Sequence, residues 1–139
     1  MDKMLNWISI MTATVGGFLM QIFGGLDGMM ITLIVFVILD YITGVLKSIY
    51  NKKLSSEVGF KGIIKKIFIF IVVIACNTLQ TTAGVSIPLR EAVIVFYVCN
   101  EGLSLVENIG EIIPLPKKIK DVLLQLRDKT SITKESEEK

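Results

Sequence analysis

Histidine is absent from this chain of 139 residues, which excludes His-based metal sites and imidazole proton relays. Cysteine is scarce. Cys76 and Cys99 each sit inside an apolar run, with neither zinc-ligand spacing nor the context of a structural disulfide, and read as small buried hydrophobes. The chain also lacks a nucleophile–base pair, a metal-ligand cluster and a glycine loop built to cradle phosphate; the glycines of EVGFKG have the wrong spacing. These absences argue against an enzyme. They leave no reason to expect a cofactor or a nucleic-acid partner.

Formal charge is missing over long stretches. Met4–Leu26 and Ile67–Leu89 are each 23 residues without any. Gly28–Leu46 is interrupted only by Asp40, and Ala92–Gly110 carries only Glu101 and Glu107. About 20 apolar residues cross the ~30 Å hydrocarbon core of a bilayer, so each run is long enough. A soluble helical bundle needs polar helix faces, and the stretch IFIFIVVIA has none. Of the 15 Lys and Arg residues, 13 lie in Lys47–Lys66 and Lys117–Lys139. Basic segments beside hydrophobic spans stay in the cytoplasm, so both stretches are expected there.

The expectation is an all-α integral membrane protein with three to four transmembrane helices plus a C-terminal cytoplasmic amphipathic helix. The spans fall at approximately 4–24, 28–46, 67–87 and 90–113 of a single membrane domain, 1–128. Residues 117–128 carry Ile119, Val122, Leu123 and Leu126 on one helical stripe with basic flanks, suited to the cytoplasmic leaflet or to a small cytoplasmic bundle. The remaining 129–139 reads as a charged disordered tail. Segment 4–24 is the least apolar. It either crosses, putting both termini in the cytoplasm, or lies flat in the interface. Ala13, Gly17 and Gly24 are its candidate helix-packing positions, because small residues let backbones approach closely in lipid. Gly24–Gly28 reads as a turn with Asp27 capping the next helix, and Ser55-Ser56-Glu57 as another helix start.

Ionisable groups at membrane depth cost roughly 2.5 kcal/mol or more and need partners. Asp40 and Glu107 each lie about 10 Å from the inner surface and Glu101 about 20 Å, counting 1.5 Å per helical residue. Tyr97, Asn100, Glu101, Ser104, Glu107, Asn108 and Glu111 form a polar stripe on the last span. Asp40, Asn100, Glu101 and Glu107 are therefore expected to form an intramembrane network. Of the basic loop Lys47, Lys52, Lys53, Lys61, Lys65 and Lys66, the pair Lys61 and Lys65 shares one helix face and is expected to reach inward toward Asp40 or Glu107.

Three elements occur in order: Asp40-x-x-Thr43-Gly44, then SSEVGFKGIIKK, then LREAVIVFYVCNEGLSLVEN followed by a Pro-x-Pro-Lys-Lys helix. This set, covering roughly Gly24 to Leu126, resembles the toxin-secretion/phage-lysis holin family of Gram-positive bacteria and their phages. The family pattern falls on Asp40, Thr43, Gly44, Ser55, Gly59, Gly62, Lys65, Arg90, Tyr97, Asn100, Glu101, Ser104, Glu107 and Asn108. The resemblance implies a homo-oligomer in the bacterial cytoplasmic membrane. It opens lesions through which an endolysin or a secreted toxin crosses, with an antiholin as a further partner. It implies no catalytic residues. The competing readings are a small cation-coupled multidrug-type transporter and a membrane accessory protein.

Overall fold

The computed structural model describes residues 1–135, and among these the chain forms five helices and no strand: α1 (Asp2–Ile22), α2 (Gly28–Tyr50), α3 (Ser56–Thr82), α4 (Leu89–Gly110) and α5 (Lys117–Glu135). Local chemistry sets the boundaries. Gly24 and Gly25 take φ of 72° and 100°, so the chain reverses between α1 and α2 where a side chain would be strained. Asp27 then caps α2 by accepting from the Met30 N–H at 2.9 Å, and Ser55 caps α3 by accepting from the Val58 N–H at 3.2 Å. Pro114 and Pro116 lie in the turn that separates α4 from α5.

Helix α4 is the centre of the molecule and packs against α2, α3 and α5. Arg90 at the start of α4 meets Asp27 at the start of α2, and Lys47 near the end of α2 meets Glu111 just past α4, so these two helices run parallel. Helix α3 runs antiparallel to both, with Lys66 beside Asp40 and Gln80 beside Arg90. Met30, Leu33, Val37, Ile69, Val73 and Ile94 form a thin core between the three. Among the described residues helix α1 makes its few helix contacts mainly with α3 and buries no residue.

The distribution of side chains is inverted relative to a water-soluble protein. Asp40, Asn77, Arg90, Glu101 and Asn108 are buried, while Ile31, Val35, Ile38, Ile42, Phe68 and Ile71 face outward. Thr12, Thr14, Thr32 and Thr78 donate their hydroxyls to the carbonyl four residues earlier, which satisfies them without water. Helices α1, α2 and α4 are long and apolar enough to cross a membrane. Helix α3, which holds residues 67–82 of the expected span 67–87, is not in that set. That helix ends at Thr82, short of residue 87.

Two further expectations are revised. The basic connection 47–66 is mostly helix, since Lys47 belongs to α2 and Lys61, Lys65 and Lys66 to α3, leaving Lys52 and Lys53 in a short turn. Helix α5 continues to Glu135, beyond residue 128, so 129–135 is helical; residues 136–139 of the expected tail lie outside the described residues. Of the two settings expected for α5, the structure shows it packed along α4. Lys120 reaches Glu107 at 3.4 Å, and a methyl group on Gly102 would come within 3.2 Å of Leu123 and 3.1 Å of Phe36. Leu123 thus packs into the space that Gly102 leaves, while Ile119, Val122 and Leu126 stay exposed.

Candidate functional site

Two polar layers lie at opposite ends of the thin apolar core. In the first, Lys66 Nζ donates to Asp40 Oδ2 at 2.6 Å and to Glu101 Oε2 at 2.5 Å. The three side chains are only 15%, 10% and 11% exposed. Asn108 completes the cluster by donating Nδ2 to Asp40 Oδ1 at 3.0 Å. Asp40 thus has both carboxylate oxygens occupied. Among the described residues no buried side-chain polar atom lacks a partner. One ammonium between two carboxylates is a charge imbalance, tolerable only while the hydrogen bonds hold.

Part of the expected network is here and part is not. Asp40, Glu101 and Asn108 are brought together. Glu107 is instead half-exposed on the α5 side with Lys120, and Asn100 is half-buried outside these hydrogen bonds. The inward-reaching lysine is Lys66, not Lys61 or Lys65. Lys61 pairs with Glu57 one turn back at 2.6 Å on the surface, and Lys65 is exposed. Helical rotation explains the change: the residue after Lys65 is turned about 100° toward α2 and α4. Thr43 returns its hydroxyl to Leu39 O at 2.9 Å, and Gly44 gives Asn108 room, a Cβ there lying 3.6 Å from Nδ2. Ser104 lines the adjacent cavity. Lys47 reaches Glu111 at 2.7 Å and Asn108 Oδ1 at 3.4 Å, which extends the layer toward the helix ends.

The second layer was hidden in the sequence because its acceptors are mostly backbone. Arg90 is 3% exposed and ties the α1–α2 turn to α4. It donates to Phe23 O at 2.6 Å, Gly25 O at 3.0 Å and Asp27 Oδ2 at 2.7 Å. Asn77 of α3 donates to Ile22 O at 2.9 Å, so the last carbonyls of α1 are held by two side chains from other helices. Gly24 is required where these groups meet, because a Cβ would lie 2.4 Å from Asn77 Oδ1 and 2.7 Å from Arg90 Nε. The guanidinium holds the Asp27 carboxyl below its ordinary value of 3.8, with the Met30 N–H assisting. Ala13 and Gly17 are exposed within the protomer, and no atom of another helix lies within 4 Å of a Cβ on Gly17.

An apolar exterior around fully partnered buried charges is the arrangement of a small membrane protein, and sequence comparison gives it a family. The profile of the bacteriophage holin family matches residues 17–128. The chain belongs to that family. A probable holin of Bacillus phage phi105 is 39% identical over 87 residues, covering 62% of this chain and 64% of the phage protein. An uncharacterised 14.9 kDa protein of Clostridium perfringens is 37% identical over 131 residues, covering 93% of this chain and 99% of its own length. An uncharacterised Listeria monocytogenes protein is 37% identical over 119 residues, 85% of each chain. No solved structure matches. Both polar layers of this holin-family chain fall inside the matched region, whereas most of α1 precedes it.

Proposed function

We propose that this chain oligomerises in the bacterial cytoplasmic membrane and opens lesions that release a peptidoglycan-degrading endolysin. The observation that carries the reading is the Asp40–Lys66–Glu101–Asn108 layer, set in helices whose outer faces are apolar. Those groups are partnered within one protomer. When helices separate or rotate in an oligomer, the same groups can line water, where their charges are hydrated instead of paired. The protein's role is then structural and non-enzymatic. Endolysin needs only the opening and not a docking site, and the same holds for a secreted toxin. An antiholin would act by competing for helix contacts.

The lysine-rich ends of α2 and α3, with α5, face the cytoplasm in this reading, and the Arg90 layer faces outward. The N-terminus lies inside when α1 crosses. Regulated expression in a bacterium, alone and with a cytoplasmic endolysin, tests the function. The expected result is abrupt loss of membrane potential, with lysis only when endolysin is present. Drug resistance with an intact potential would instead identify a cation-coupled transporter, and neither effect would leave an accessory role.

A further inference from the structure

Helix α5 starts just past the lysine end of α4 and runs back antiparallel along it, with Lys120 beside Glu107 and then Leu123 beside Gly102. Phe36 closes on the same Gly102 notch from α2. That residue stands near the middle of the apolar stretch Gly28–Leu46. Leu123 is therefore level with the middle of a span, and α5 lies alongside the spans rather than across their ends. The apolar cavity between Phe36, Leu105, Val106, Ile119 and Val122 continues the same contact.

The outer face of α5 does not suit hydrocarbon. Asp121 and Gln125 each stand two residues from Leu123, about 200° round the helix and so on the side away from α4. Both are exposed, as are Lys117, Lys118 and Asp128. Gln125 lies only about 3 Å along the axis from Leu123, so this polar face reaches the same depth. The Lys120–Glu107 pair beside it is half-open, with side chains 49% and 58% exposed. At the level of Phe36, by contrast, α2 turns Val35 and Ile38 outward, and α3 turns Phe68 and Ile71 outward. Charged and polar groups at membrane depth are stable against water or a polar partner and not against lipid. The protomer is thus two-sided, with a hydrocarbon surface on α2 and α3 and a wet surface on α5.

We infer that α5 lines the aqueous path of the oligomer, with Asp121, Gln125 and Asp128 facing water continuous with the cytoplasm while α2 and α3 face the surrounding lipid. The inference rests on the lesion-forming reading and adds which side of each protomer turns inward. Docked α5 covers the apolar surface of Gly102, Leu105 and Val106. A bare apolar wall there would favour drying of the opening, and α5 replaces it with a wettable one.

The test uses the full chain carrying Cys76→Ala and Cys99→Ala, reconstituted in phospholipid vesicles. Single variants Asp121→Cys, Gln125→Cys and Val35→Cys are treated with a charged, water-soluble thiosulfonate. The pair Val106→Cys and Ile119→Cys, which leaves Leu123 and Lys120 in place, reports docking through a short bismaleimide. Cross-linking of that pair is expected, with the two α5 positions reacting about a hundredfold faster than Val35→Cys, roughly the factor that disfavours a charged group at the middle of a hydrocarbon span. Cross-linking with all three positions equally slow would show that α5 does not face water and would overturn the inference. So would fast reaction at the α5 positions without cross-linking, which would mean that α5 has left α4 for the membrane surface. Dye release from the same vesicles reads lesion formation separately. Release together with either overturning result leaves the lesion standing and removes only the placement of α5. Cross-linking and fast labelling without release would keep α5 on a wet face and count against the lesion.

Discussion

Lys66 stands between Asp40 and Glu101 with little water available to any of the three. Removing one partner from a buried ion pair typically costs 3–5 kcal/mol, because the remaining charge is stranded. Lys66→Met should therefore destabilise the detergent-solubilised protein by about that amount, seen as a lowered thermal midpoint. The triple variant adding Asp40→Asn and Glu101→Gln removes the stranded charges and should recover most of the loss. If Lys66→Met alone were neutral, the ammonium would not be holding α3 to α2 and α4. Arg90 is the opposite case in composition: its fork finds two backbone carbonyls and only one directly facing carboxylate at short range, Asp27. A lysine could not reproduce that geometry.

At the scale of elements, α1 stands apart. It buries no residue in the protomer, and Asn77 and Arg90 hold the backbone carbonyls at its C-terminal end. Open space around Gly16 and Gly17 means that larger side chains fit without disturbing the other helices. Gly17→Leu should leave the protomer's stability unchanged or slightly raised, since glycine is about 1 kcal/mol worse than alanine inside a helix. If Ala13 and Gly17 are where copies meet, the same variant should lower the amount of cross-linked oligomer in membranes. Unchanged cross-linking would move the contact elsewhere. Helix α5 is tied more firmly than its amphipathic pattern suggests, because Gly102 admits Leu123.

For the whole molecule the polar layers act as two clamps with an apolar core between them. The parallel pair α2 and α4 with antiparallel α3 places every interior lysine contact at one end and every Arg90 contact at the other. That polarity ties the basic ends to one membrane face. An Asp2→Cys variant should react with a membrane-impermeant maleimide only from the cytoplasmic side when α1 crosses the bilayer. Reaction only from outside would mean that α1 lies flat and three helices cross. The native Cys76 is half-buried and Cys99 buried, each within an apolar helix, which limits their interference.

The sequence by itself determined the all-helical membrane class, the Asp27 and Ser55 caps, the glycine turn and the family, since these depend on local composition and on residues in a fixed order. It also singled out Asp40, Glu101 and Asn108, because a polar group in an apolar run is visible without knowing its neighbours. Only the tertiary structure decided who meets whom. Lys66 rather than Lys65 turns inward, Glu107 faces α5, and Arg90 closes on carbonyls from a turn 67 residues away. Those choices depend on helix rotation and on the stagger between α2 and α4. A one-residue step turns a side chain by about 100°, which decides between lipid and interior.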